Sequence, residues 1–155
     1  YAYARRGGSA VEVNSMVRIT DDGIFDAPID KVWRYVNDSM LHQHKSFRTT
    51  NVLEQKGNMM KVEAEVNNPA GKGTHKETWK FVFNPPKGFD FEYLSGPMKG
   101  SKHTHTYTSM GNRTKVEVVG DFRAEGMDDA VTKKAILAYF AEVFGEDSAA
   151  LKKYK

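Results

Sequence analysis

Hydrophobic and polar residues alternate with two different periods along this chain, and the change from one to the other predicts its elements. Val17 and Ile19 alternate with Arg18 and Thr20, so residues 16–25 read as a first strand. The polar triplet Asp21-Asp22-Gly23 interrupts it and suggests a bulge. Ile29, Val32, Trp33 and Val36 then fall at i, i+3, i+4 and i+7, the apolar face of a short helix. Pro28 suits its first position and Asp26 its cap. Asn37-Asp38-Ser39 ends that helix, and Ser39 is placed to cap a second short one through Leu41 to His44.

From Phe47 to Ala124 the period is two. Met60, Val62, Ala64 and Val66 share one face of a strand, and His75, Glu77, Trp79, Phe81 and Phe83 share one face of another. The same holds for Phe89, Phe91 and Tyr93, for His103, His105 and Tyr107, and for Val116, Val118 and Phe122. Gly57-Asn58, Asn67-Asn68-Pro69, Asn84-Pro85-Pro86, Gly96-Pro97 and Gly111-Asn112 punctuate these runs. Turns this short join antiparallel neighbours, so a meander with one wet face is expected.

After Gly126 the period returns to that of a helix. Ile136, Phe140, Val143 and Phe144 form its stripe, Gly145 weakens its middle, and Lys152, Lys153 and Lys155 suit its end. A sheet with one apolar face must cover that face, and only this helix is long enough. A twisted sheet curling round a helix cannot close on it everywhere. The space left over is a cavity wherever large side chains do not fill it.

The order of elements, together with Ile24-Phe25-Asp26-Ala27-Pro28-Ile29-Asp30-Lys31-Val32-Trp33, resembles the START-like superfamily. That superfamily includes pollen allergens, polyketide cyclases, coenzyme Q-binding proteins and heat-shock co-chaperone activators. The resemblance implies an α+β helix-grip fold: about seven curved antiparallel strands, two short helices, and a long C-terminal helix packed across the sheet. It favours an apolar ligand cavity over a solidly filled core. One fold serves carriers, cyclases and adaptors, so the fold alone assigns no activity.

Composition narrows the remaining classes. Lysine and arginine number 23 against 20 aspartates and glutamates, a net charge of +3 that makes no field for a polyanion. Lys76, Lys80, Lys87, Lys99 and Lys102 are interspersed with Glu63, Glu65, Asp90 and Glu92 on the outward positions, so nucleic acid is not an expected partner. The chain has no cysteine, which removes disulfides and thiolate metal sites and agrees with a cytoplasmic location. The longest apolar run, Ala135 to Phe144, carries Glu142 and is far below the roughly 20 residues that span a bilayer, so stable membrane insertion is not expected. No secretory leader is apparent. Arg5-Arg6-Gly7-Gly8-Ser9 reads as part of a flexible lead-in over residues 1–10, with a single domain over 11–155.

The expected ligand-binding residues are Trp79, Phe81, Phe91, Tyr93, Tyr107, Phe122, Phe140 and Phe144. The expected ligand is a hydrophobic or amphipathic small molecule: a lipid, a quinone or a polyketide-like compound. The alternative is a cyclase or dehydratase in which Glu77 works with His75, His103, His105 or Tyr107 as acid and base. A second alternative is a co-chaperone-like adaptor that binds a protein partner through its outer surface. His103 and His105 at i, i+2 could share an ion, but their spacing matches no ligand motif, and neither a metal nor a cofactor is expected. No Gly-x-Ser-x-Gly elbow or phosphate loop is present.

Overall fold

A computed structural model of the protein describes residues 16–38, 43–68 and 71–155. Strand β1 (Val17–Phe25) leads into helix α1 (Ile29–Asn37). Strands β2 (Phe47–Lys56), β3 (Met59–Asn67), β4 (Thr74–Asn84), β5 (Gly88–Tyr93), β6 (Lys102–Ser109) and β7 (Thr114–Phe122) follow, and helix α2 (Asp129–Lys153) ends the chain. The strands form one antiparallel sheet in the order β1-β7-β6-β5-β4-β3-β2. This is the helix-grip fold, with the chain's first strand closing on its last.

Four local expectations need correction or limits. β1 runs through Asp21-Asp22-Gly23 without a register shift, from Val17 opposite Phe122 to Phe25 opposite Thr114. A ladder of period two accommodates the triplet as it stands: Asp22 faces outward, and Gly23 faces inward where no side chain is wanted. The irregularities lie instead in edge strand β2, at Thr49/Asn51 and Val52/Glu54. Pro28 caps α1 rather than opening it: its ψ of 157° is extended, and Asp26, exposed and two residues earlier, makes no cap bond. The second short helix, expected through Leu41 to His44, lies partly on residues 39–42, outside the described residues, and its described residues Gln43 and His44 are not helical. The lead-in over residues 1–10 also lies outside them.

α2 begins where Asp128 accepts the Val131 N–H at 2.8 Å and runs unbroken through Gly145. It buries Ile136 against Ile19 and Phe122, and Leu151 against the α1 end of the sheet. α1 plugs that end. Its Trp33 is buried, donates Nε1–H to the Pro86 carbonyl at 2.6 Å, and meets Tyr107 edge-on at 5.5 Å. The Thr114 hydroxyl donates to the Ala27 carbonyl at 2.8 Å and fixes the approach to the helix. A third cluster, Val62, Ala64, Trp79, Phe91 and Tyr93, lies over the centre of the sheet. The three clusters are separate, and a cavity lies among them.

Candidate functional site

The cavity holds about 410 Å³ between the concave face of the sheet and α2. Period-two alternation places its walls. β4 contributes Trp79, Phe81 and Phe83; β5 contributes Phe89, Phe91 and Tyr93; β6 contributes His103, His105 and Tyr107. α2 closes it with Tyr139, Phe140 and Phe144. The rings brace one another across strands: Phe81 meets Phe91 edge-on at 4.9 Å, and Phe89 stacks on His105 at 4.4 Å.

Of the eight expected ligand-binding residues, seven line this cavity: Trp79, Phe81, Phe91, Tyr93, Tyr107, Phe140 and Phe144. Phe122 does not. It faces inward but is completely buried beneath His103, which stacks on it at 5.4 Å, and beside Phe140.

The polar candidates separate into two groups. His103, His105 and Tyr107 lie on the wall. Glu77 and His75 lie outside it, in a hydrogen-bonded chain along β4. His75 Nδ1 meets Asn68 Oδ1 at 2.7 Å, and His75 Nε2 meets Glu77 Oε2 at 2.6 Å. Glu77 Oε1 accepts Trp79 Nε1–H at 2.9 Å. Glu77 is buried, as expected from its parity, and a Cβ at Gly96 would fall 2.8 Å from its Cδ. Gly96 also has φ of +88°, so both space and backbone call for glycine there.

Burial shapes the chemistry of the wall. His103 is held well below the usual histidine range by burial and by neighbouring His105, so it is a neutral imidazole. Burial, aided by Glu77, pushes the Tyr93 phenol up; burial, aided by Asp147, does the same at Tyr107. Tyr139 is raised well above the ordinary phenol, chiefly by burial. These hydroxyls remain protonated donors. Among the described residues no three histidine or carboxylate side chains converge as a metal-holding set.

Two features escape a reading of the sequence. Tyr139 lies three residues after Ile136 and four before Val143, so its helical spacing was a usable signal. The other is a cluster at the α2 side of the cavity. His44 Nδ1 lies 2.6 Å from Glu146 Oε1 and its Nε2 3.2 Å from Asp147 Oδ1. The Tyr35 hydroxyl donates to Asp147 at 2.9 Å, and the His44 ring lies on Phe47 at 4.8 Å. Burial opposes charge on His44, but the two carboxylates outweigh it and raise its pKa. No spacing in the sequence signals a contact across 102 residues.

No helix among the described residues is long and apolar enough to cross a membrane. Solved structures with the same fold include the Zhui aromatase/cyclase from Streptomyces sp. R1128, at 15% identity, TM-score 0.69, and 88% and 91% coverage of this chain and that one. Ara h 8.0201 superposes with TM-score 0.72 at 11% identity, over 90% of this chain and 99% of that one. The di-domain ARO/CYC BexL from the BE-7585A biosynthetic pathway matches at 13% identity and TM-score 0.67, over 90% of this chain and 50% of that one. A search of curated proteins finds no match. The sequence itself matches the description "polyketide cyclase / dehydrase and lipid transport" over residues 16–154, and with that pattern carried on a helix-grip fold around an aromatic cavity, the chain belongs to the polyketide cyclase/dehydrase and lipid transport family.

Proposed function

We propose that this protein binds a hydrophobic or amphipathic small molecule, of the lipid, quinone or polyketide-like kind, between its sheet and α2. One observation carries the reading: an aromatic cavity of about 410 Å³, within the size range of ligand pockets, remains open where the sheet curls round the helix. Trp79, Phe81, Phe91 and Tyr93 form the sheet wall, and Phe140 and Phe144 the helix wall. A chain without cysteine suits a reducing compartment, which is where we expect it to work.

Titration with N-phenylnaphthylamine, an uncharged dye that brightens in apolar surroundings, tests this. Saturable binding is expected in the wild type. It should be lost in Val118→Trp, which places an indole in the cavity while thermal melting confirms the fold. A folded wild-type protein that binds no dye, or a Val118→Trp variant that binds as well, sinks the reading.

A second reading, as a cyclase- or dehydratase-like enzyme, is favoured by His103, His105 and Tyr107 standing in a row on the same wall. A neutral imidazole beside protonated phenols can exchange a proton with a bound carbonyl compound. Turnover of a poly-β-keto substrate mimic, lost in His103→Phe while dye binding persists, would distinguish an enzyme from a carrier.

A further inference from the structure

Among the described residues, every aspartate, glutamate, lysine or arginine that lines the cavity is an aspartate. Asp21, Asp22 and Asp147 take part, and no lysine or arginine among the described residues does. The three are not equivalent. Asp147 is committed to the Tyr35 hydroxyl at 2.9 Å and to His44 Nε2 at 3.2 Å. Asp22 stands opposite Glu117 in the β1–β7 ladder, on the outward parity, and is exposed. Asp21 stands opposite Val118, an inward residue that itself lines the cavity. Its carboxylate therefore rises from the concave face. It is half-buried and makes one local bond, accepting the Asp22 backbone N–H at 2.9 Å; no cation among the described residues pairs with it.

His103 is an independent second observation in the same cavity. It is 7% exposed, lines the wall, and leaves its Nδ1 without a hydrogen-bond partner among the described residues. A buried nitrogen without a partner is costly unless a ligand or water reaches the ring. Being held neutral, this imidazole offers a hydrogen bond but no positive charge.

A carboxylate entering here would leave water, meet no lysine or arginine among the described residues, and lie near the Asp21 carboxylate. A protonated amine would meet Asp21 in surroundings where water screens poorly. We propose that the cavity discriminates by charge: it favours an aromatic or alicyclic ligand bearing a basic nitrogen, accepts uncharged ones less tightly, and rejects carboxylates, with Asp21 as the counter-charge. This rests on the ligand-binding reading above and narrows its ligand class.

Three probes of one shape test it: naphthylethylamine, naphthylethanol and naphthylacetate, each titrated by displacement of N-phenylnaphthylamine. The amine is expected to bind about tenfold tighter than the alcohol at low salt, and the acetate about tenfold weaker, with both gaps shrinking at high salt. Asp21→Asn should narrow the amine-to-alcohol ratio and raise the relative affinity of the acetate. Acetate binding as well as the alcohol would assign a cationic partner to the cavity and overturn the proposal. So would an amine preference that survives Asp21→Asn. If that variant does not fold, the wild-type order and its salt dependence decide alone. Alcohol binding without charge discrimination removes only this inference; failure of all three probes and the dye removes the ligand-binding reading as well.

Discussion

Phe144 occupies the space that a side chain on residue 23 would need: a Cβ built on Gly23 would fall 2.5 Å from Phe144 Cε2. The ring thereby reaches Phe25 and stacks on it at 4.8 Å with its planes 21° apart. A glycine in the middle of β1 is thus what lets α2 seat on the edge of the sheet. Gly23→Ala should cost about 1–2 kcal/mol, because the clash outweighs alanine's lower backbone entropy cost. The displaced ring lines the cavity, so dye affinity should fall as well. Denaturant midpoints and dye titrations on Gly23→Ala check both; unchanged values in each would mean the ring moves freely.

Glu77 is buried and satisfied within its own strand, by His75 on one side and Trp79 on the other. Glu77→Gln keeps an acceptor for the indole and a donor for the imidazole, and should cost about 1 kcal/mol. Glu77→Leu leaves both partners unmatched in a buried site and should cost about 2–4 kcal/mol. Chemical denaturation of the two variants measures the difference. Equal losses would show that packing, not hydrogen bonding, holds this corner.

His44 and His103 should give stability two opposing pH limbs. The His44 pKa is raised above the ordinary 6.5, so its contribution is complete below about pH 6.5 and fades as pH climbs through the folded value. His103 is lowered well below 6.5, so its contribution is complete above that pH and is lost as pH falls beneath it. His44→Gln should flatten the alkaline limb and His103→Phe the acid limb. Denaturant midpoints measured from about pH 5 to about pH 9 resolve the two. A limb that persists in its own variant would reassign it to another group.

Trp33 is a structural residue. Its indole N–H serves the Pro86 carbonyl, its ring serves Tyr107, and it lies outside the cavity lining. Trp33→Phe should lower stability by about 1–3 kcal/mol through the carbonyl it strands, with dye affinity kept within about twofold. Dye binding that collapses while the fold persists would place Trp33 in the ligand's path instead.

The aromatic wall was legible in the sequence because period two assigns faces. It was not legible in depth: Phe122 has the same parity as Val118, yet His103 and Phe140 cover it and Val118 meets the cavity. Glu77 shows the same limit. Its inward parity and burial follow from Trp79 and Phe81, and of its expected partners His75, on the same strand, is the one it meets, while His103, His105 and Tyr107 on β6 are not. β5 pairs with β4 only as far as Trp79 opposite Tyr93, so at Glu77 the neighbour is Gly96 and the bonds turn back along β4. The His44 cluster was beyond reach, because its partners depend on where α2 docks. Asp21-Asp22-Gly23 read as a disruption for want of that same helix, whose Phe144 gives the glycine its purpose.

The pairing of β1 with β7 bears on how the chain reaches this state. Arg18 and Asp121 form an ion pair at 2.8 Å across a gap of 103 residues. While the chain emerges during synthesis, β2 through β6 can zip up locally, hairpin by hairpin, but β1 must wait for nearly everything after it. Its apolar residues Val17, Ile19 and Phe25 are made before the strand they pair with and are covered only after it. Barriers set by such distant contacts slow folding, into the range of about milliseconds to seconds for sheet-rich domains. During that interval the unpaired β1 and the uncovered concave face are where a nascent chain would self-associate or recruit a chaperone.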